Sequence, residues 1–109
     1  MKWYHVTGIE LNGKPFIKKV KAGGKNICLV SVDNRIFALS AKCPHAGADL
    51  SEGWCNDGKL VCPFHHYSYD LKTGRGSAGQ NDYVETYPVE KRADGLYIGI
   101  SSLWDKLGL

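Results

Sequence analysis

Four side chains in this sequence are placed to bind metal: Cys43 and His45, then, after sixteen intervening residues, Cys62 and His65. Thiolate and imidazole together suit zinc or an iron–sulfur centre. A common zinc finger groups two cysteines in one knuckle and two histidines on a helix. Here each segment, Cys43-x-His45 and Cys62-x-x-His65, supplies one ligand of each kind. Two such segments related by an approximate two-fold suit a binuclear site, with both cysteines on one iron and both histidines on the other. The competing readings are structural zinc on the same four residues, or two buried thiols beside two ordinary histidines.

The elements around these residues must hold two loops face to face. Residues 43–54 and 62–67 do not read as strands. Each segment opens with Cys-Pro, and proline fixes φ and removes a donor. The rest reads as short strands. Trp3 to Thr7 suits an edge strand. Ile27 to Val32 and Arg35 to Leu39 flank Asp33-Asn34 as a tight hairpin. Lys59-Leu60-Val61 follows the turn signal Asn56-Asp57-Gly58, and Val84 to Val89 and Leu96 to Ile100 flank Ala93-Asp94-Gly95 as a third hairpin. Without a sustained 3.6-residue period, this predicts an all-β antiparallel sandwich or barrel carrying two cluster-binding loops. The tail from Ser101 to Leu107 predicts one or two helical turns.

The length of 109 residues predicts a single domain over 1–109, and 43% hydrophobic residues is a globular composition. A net charge of +3 with Lys18, Lys19 and Lys21 as the densest basic cluster predicts a solvated face rather than a nucleic-acid site. The sequence start does not read as a signal peptide, and no apolar run approaches the ~20 residues of a membrane span. The expectation is a soluble, cytoplasmic chain without membrane or nucleic-acid partners. A reducing compartment also favours metal binding over disulfides for spaced Cys and His.

Cys43-Pro44-His45-Ala46-Gly47 and Cys62-Pro63-Phe64-His65 resemble the two ligand loops of the Rieske family. Tyr69-Asp70-Leu71-Lys72-Thr73-Gly74 resembles the stretch after the second loop, and Thr86-Tyr87-Pro88-Val89 resembles the return strand. The similarity spans nearly the whole chain. It implies one 2Fe–2S cluster, with Cys43 and Cys62 on the inner iron and His45 and His65 on the outer iron. Neutral histidines make such a cluster easier to reduce, over about −150 to +300 mV against about −400 mV for all-cysteine plant-type clusters. High-potential members carry an extra cysteine in each loop, joined as a disulfide. Ala48 and Phe64 stand there instead. His66 and Tyr67 replace a Gly-Ser pair whose hydroxyl bonds a sulfide, which lowers the expected potential. Tyr69 matches a tyrosine that bonds a cysteine sulfur, which raises it. The third loop, Gly76 to Gln80, lacks the prolines often found there.

The resemblance implies a soluble ferredoxin rather than a complete enzyme. Such a chain takes one electron from a flavin-dependent reductase and passes it to a terminal enzyme such as a Rieske non-haem iron oxygenase. Only His5 and His66 remain for a second iron site, and they do not form a two-histidine–carboxylate motif. No glycine-rich nucleotide fingerprint is present. The histidine edges, ringed by Pro44, Ala46, Gly47, Pro63 and Phe64, form the expected docking face. The alternative is a small subunit of a larger redox enzyme, such as a cytoplasmic nitrite reductase; a zinc-stabilised binding module is the third reading. Cys28 and Cys55 are expected as unligated thiols, His5 as an edge-strand residue, and Trp3, Trp54 and Trp104 as packing residues.

Overall fold

The computed structural model describes residues 1–44, 47–64, 66–80 and 82–101. Among these the chain forms β1 (Lys2–Val6), β2 (Phe16–Ala22), β3 (Lys25–Val32), β4 (Arg35–Ser40), β5 (Trp54–Asn56), β6 (Lys59–Val61), β7 (Ser68–Asp70), β8 (Thr86–Tyr87), β9 (Val89–Arg92) and β10 (Gly95–Ile100). One 3-10 turn, Leu50–Glu52, lies between β4 and β5. The strands form three antiparallel sheets, ordered β1-β10-β9, β2-β3-β4-β8 and β5-β6-β7. The tail expected to be helical lies outside the described residues from 102 onward.

The middle sheet is buried on both faces, and β3 shows why its sequence is apolar without alternation. Ile27 and Leu29 point into one core with Val6, Ala38, Leu96, Ile98 and Ile100. Cys28 and Val30 point the opposite way, into a core with Leu39, Leu50, Leu60, Tyr69 and Leu71. Successive strand residues face opposite sides, so a strand between two cores needs apolar groups at every position. The second core also contains Cys43 and Cys62. Sheet β5-β6-β7, inserted between β4 and β8, thus rests on the sandwich through the residues that carry the two loops.

Tight turns set the registers. Asp33 and Asn34 have φ of 51° and 61°, and Asp57 and Gly58 have 50° and 75°. Both pairs join antiparallel neighbours, as two left-handed residues do in a type I′ hairpin. Gly23 and Gly24 connect β2 to β3 in the same way, at 56° and 77°. Strand β2 is absent from the reading of the sequence because Lys18, Lys19 and Lys21 mask its pattern. These lysines are exposed, but on both sides of β2: Lys18 is paired opposite Leu29, and Lys19 and Lys21 opposite Cys28 and Asn26. The expected strand from Val84 to Val89 is broken at Pro88: Tyr87 pairs with Ala38 in the middle sheet, whereas Val89 pairs with Ile98 in the outer one. Proline lacks the N–H needed to continue a ladder, so the chain changes sheets there. The outermost place of β1 agrees with an edge strand.

None of the four cysteines is disulfide-bonded. Burial, reinforced by Cys55 and Asp49 nearby, pushes the Cys28 thiol up to about 12 from its ordinary 9.0. The unfolded chain therefore releases this proton first. Its contribution to stability is intact below pH 9.0 and is lost as pH rises toward about 12, at up to about 1.4 kcal/mol per pH unit. Urea denaturation at several pH values above 9 should show a shallower alkaline decline for Cys28→Ala than for the native chain. Equal slopes would assign the decline to other groups.

Candidate metal centre

The two Cys-Pro segments close in the same way. In the first, the Cys43 amide donates to the Ala48 carbonyl at 2.8 Å. In the second, the Cys62 amide donates to the Tyr67 carbonyl at 2.7 Å, again five positions on. The fourth residue after each cysteine is left-handed: Gly47 at φ 70° and His66 at φ 55°. Glycine adopts this conformation freely, whereas a side chain there costs of order 1–2 kcal/mol. His66 lies edge-on to Trp54 with ring centroids 5.1 Å apart. The loops therefore share a backbone design although one has glycine and the other histidine at this position.

This design brings two thiols together. Cys43 and Cys62 have 0% exposure and share one core cluster, near enough for Cys43 to influence the Cys62 thiol. Burial raises the Cys62 thiol above its usual range and the adjoining Cys43 adds to the rise, while a hydrogen bond from the Phe64 amide opposes it. Two desolvated thiolates side by side need a cation to balance them. Soft, adjacent sulfur donors suit an iron–sulfur centre or zinc. Among the described residues no third His, Cys, Asp or Glu joins them in a metal-binding group. His45 and His65, expected as ligands, and Ala46, expected beside them on the docking face, lie outside the described residues.

Groups around the thiols fix the loops. Asp49 caps the 3-10 turn, its carboxylate accepting from the Ser51 amide at 2.9 Å and from Lys19 Nζ at 2.8 Å. Burial pushes its carboxyl up, but the hydrogen bonds from Lys19 and Ser51 outweigh this and hold it below the usual carboxylate range. Lys19 thus ties β2 to the first loop. After the second loop, Asp70 accepts from the amides of Lys72 and Thr73 at 2.8 and 3.0 Å, and Gly74 donates to the Asp70 carbonyl at 2.8 Å. Tyr69 is fully buried. Its hydroxyl lies 3.5 Å from Cys43 Sγ, as its sequence position suggested. It also lies 3.1 Å from Asp82 Oδ2, a partner that sequence reasoning missed. Burial, then the hydrogen bonds to Cys43 and Asp82, raise the Tyr69 hydroxyl far above its usual range.

Two aromatic residues beside this region are open to solvent: Phe64 is 59% exposed and Trp54 is 43% exposed. Trp54 packs against the His66 ring but does not join the core, since it points to the face of β5 opposite the half-buried Cys55. Trp3 is half-buried with the Arg92 guanidinium 5.6 Å from its ring, and Trp104 lies outside the described residues. His5 sits on edge strand β1, stacked on Tyr97 at 4.9 Å.

Comparison with known proteins gives a consistent result. The Rieske [2Fe-2S] domain family matches residues 2–88. The 3-phenylpropionate/cinnamic acid dioxygenase ferredoxin subunit of Photorhabdus laumondii is 36% identical over 78 residues, 70% of this chain and 74% of that protein. Among solved structures, a chain from the complex of reduced oxygenase and oxidised ferredoxin in carbazole 1,9a-dioxygenase aligns at TM-score 0.72 and 21% identity, covering 88% of this chain and 97% of that one. A chain described as an NADH-dependent nitrite reductase small subunit from Mycobacterium tuberculosis aligns at TM-score 0.74 and 18% identity, covering 82% of this chain and 86% of that one. At these identities the two structures establish a shared fold.

The geometry of Gly74 makes the second loop's support testable. At φ 77° a side chain is already strained, and a Cβ there runs into the Val84 carbonyl. Gly58, at φ 75°, has open space around the same position. Gly58→Ala should therefore cost about 1 kcal/mol from backbone strain alone. Gly74→Ala should cost at least about 2 kcal/mol more, because backbone must move. Chemical denaturation of both variants checks the difference; equal costs would remove the packing role of Gly74.

Proposed function

This chain belongs to the Rieske [2Fe-2S] domain family, and we propose that it serves there as a ferredoxin, carrying single electrons from a flavin-dependent reductase to a terminal oxygenase. One 2Fe–2S cluster supplies a reversible one-electron centre when bound. Cys43 and Cys62 hold the inner iron, and His45 and His65 hold the outer iron. The observation that carries this reading is the burial of two thiols in one core by two loops of matching backbone. The likeness to a dioxygenase ferredoxin subunit over 70% of the chain supports the carrier role.

Phe64, beside the His65 position and 59% exposed, contributes an apolar contact to the docking face. Redox encounters use small interfaces, so one exposed ring can matter. The alternative, a small subunit of a larger enzyme such as nitrite reductase, has a structural likeness at only 18% identity behind it. Treating 1–109 as one domain is supported by the middle sheet, which contributes to both cores. No helix among the described residues is long and apolar enough to cross a membrane. A cytoplasmic location belongs to this proposal.

The purified chain should contain two irons and two acid-labile sulfides, take up one electron, and pass it to a Rieske dioxygenase oxygenase component in rapid mixing. Bound zinc without colour would sink the reading. Iron with no transfer, together with a large co-purifying partner, would favour the subunit alternative. Replacement of Cys43 or Cys62 by Ser, or of His45 or His65 by Ala, should abolish cluster content measured by iron analysis, whereas Cys55→Ser should retain it. The reverse result for Cys55 and Cys62 would overturn the ligand assignment. Phe64→Ala should keep the cluster and slow transfer to the oxygenase several-fold; an unchanged rate would move docking away from this ring.

A further inference from the structure

The buried hydroxyl of Tyr69 has one proton and two partners. Cys43 Sγ lies 3.5 Å away and Asp82 Oδ2 lies 3.1 Å away. An ionised carboxylate is acceptor-only, and a hydrogen bond to it is roughly twice as strong as one between neutral groups. Asp82 therefore competes with the sulfur for this proton, and its advantage is its charge, since 3.5 Å is an ordinary approach for the larger sulfur atom. It is held in place from its own loop. Gln80 Nε2 donates to Asp82 Oδ1 at 3.3 Å, while Gln80 Oε1 accepts from the Ser68 amide at 3.1 Å. The Gly76 amide donates to the Asp82 carbonyl at 2.9 Å. A Cβ at Gly76 would crowd both Gln80 and Asp82. The third loop thus presents a carboxylate to Tyr69 without needing the prolines expected at this point.

We infer that Asp82 is a positioning residue that draws the Tyr69 hydroxyl away from the Cys43 sulfur and thereby keeps the cluster's potential low. This deepens the proposed function and rests on Cys43 being a cluster ligand. A hydrogen bond to a ligand sulfur favours the reduced, more negative state. Diverting that bond removes the preference, and a fixed carboxylate nearby disfavours an added electron by Coulomb repulsion. Both effects lower the potential. Asp82→Asn reverses both. With its carbonyl turned to Gln80 Nε2, the new amide faces the Tyr69 oxygen as a donor, which directs the hydroxyl proton to the sulfur.

The test is a double-mutant cycle read by the midpoint potential of the iron-loaded protein. Asp82→Asn should raise the reduced-to-oxidised ratio at fixed electrode potential about fivefold. A tenfold change is about 59 mV for one electron, so fivefold is roughly 40 mV. Tyr69→Phe should change the ratio less than twofold in the native background but lower it about threefold in the Asp82→Asn background, the rest of the Asp82→Asn gain being the removed charge. An Asp82→Asn protein with full iron content and an unchanged potential overturns the inference, as does an equal Tyr69→Phe effect in both backgrounds. If Asp82→Asn does not fold, Tyr69→Phe alone still decides: a threefold drop in the native background means that the sulfur already holds the proton. A native protein lacking iron and sulfide would instead refute the proposed function itself, which separates the two failures.

Discussion

Two thiols with no solvent exposure, Cys43 and Cys62, share one core where their loops meet. Ionising either in that setting without a cation is unfavourable, because desolvation and mutual repulsion act together. The surrounding architecture keeps them there. Leu50, Leu60, Leu71 and Val84 fill the space around them, and Cys28, Val30 and Leu39 form the floor contributed by the middle sheet. The cluster-bearing sheet is short, with three residues in each strand. Such a small sheet is marginal alone. It gains its stability from the core it shares with the larger sandwich.

The backbone of the loops is more regular than their side chains. Ala48 and Tyr67 differ in size and chemistry, yet their carbonyls accept the same kind of bond from the preceding cysteine amides. Gly47 and His66 differ still more, yet both adopt positive φ. The outer face of the second loop carries Phe64, which is largely exposed. Asp49 and Asp70 share the work of holding each loop from outside, one through a lysine from β2 and the other through amides of its own turn.

Much of this could be read from the residues because the signals were local. Asp33-Asn34 and Asp57-Gly58 specify left-handed turns, and the unbroken run from Ile27 to Val30 specifies a strand between two layers. The paired Cys-Pro segments point to two thiols that the fold places in one core. The less legible parts depend on distant partners. Strand β2 was hidden by its lysines, whose alternation with Ile17 and Val20 is imperfect; Gly23-Gly24 was the available clue. Pro88 marks the change of sheets, but a proline alone does not say that two short strands diverge. The contact between Asp82 and Tyr69 joins residues thirteen positions apart through a folded loop. Trp54 lies exposed because it points away from the core that its neighbour Cys55 packs against, a matter of which sheet face is covered.

The matching closures of the two loops also bear on speed. Each is made by main-chain groups, Cys43 to Ala48 and Cys62 to Tyr67, and neither depends on the charge at the sulfur atoms. A cradle fixed in this way keeps its shape while an electron comes and goes. Little nuclear rearrangement is then needed at the moment of transfer, so reorganisation energy stays small. The barrier is set mainly by the distance between centres and the driving force, and a brief encounter with a partner suffices for the exchange.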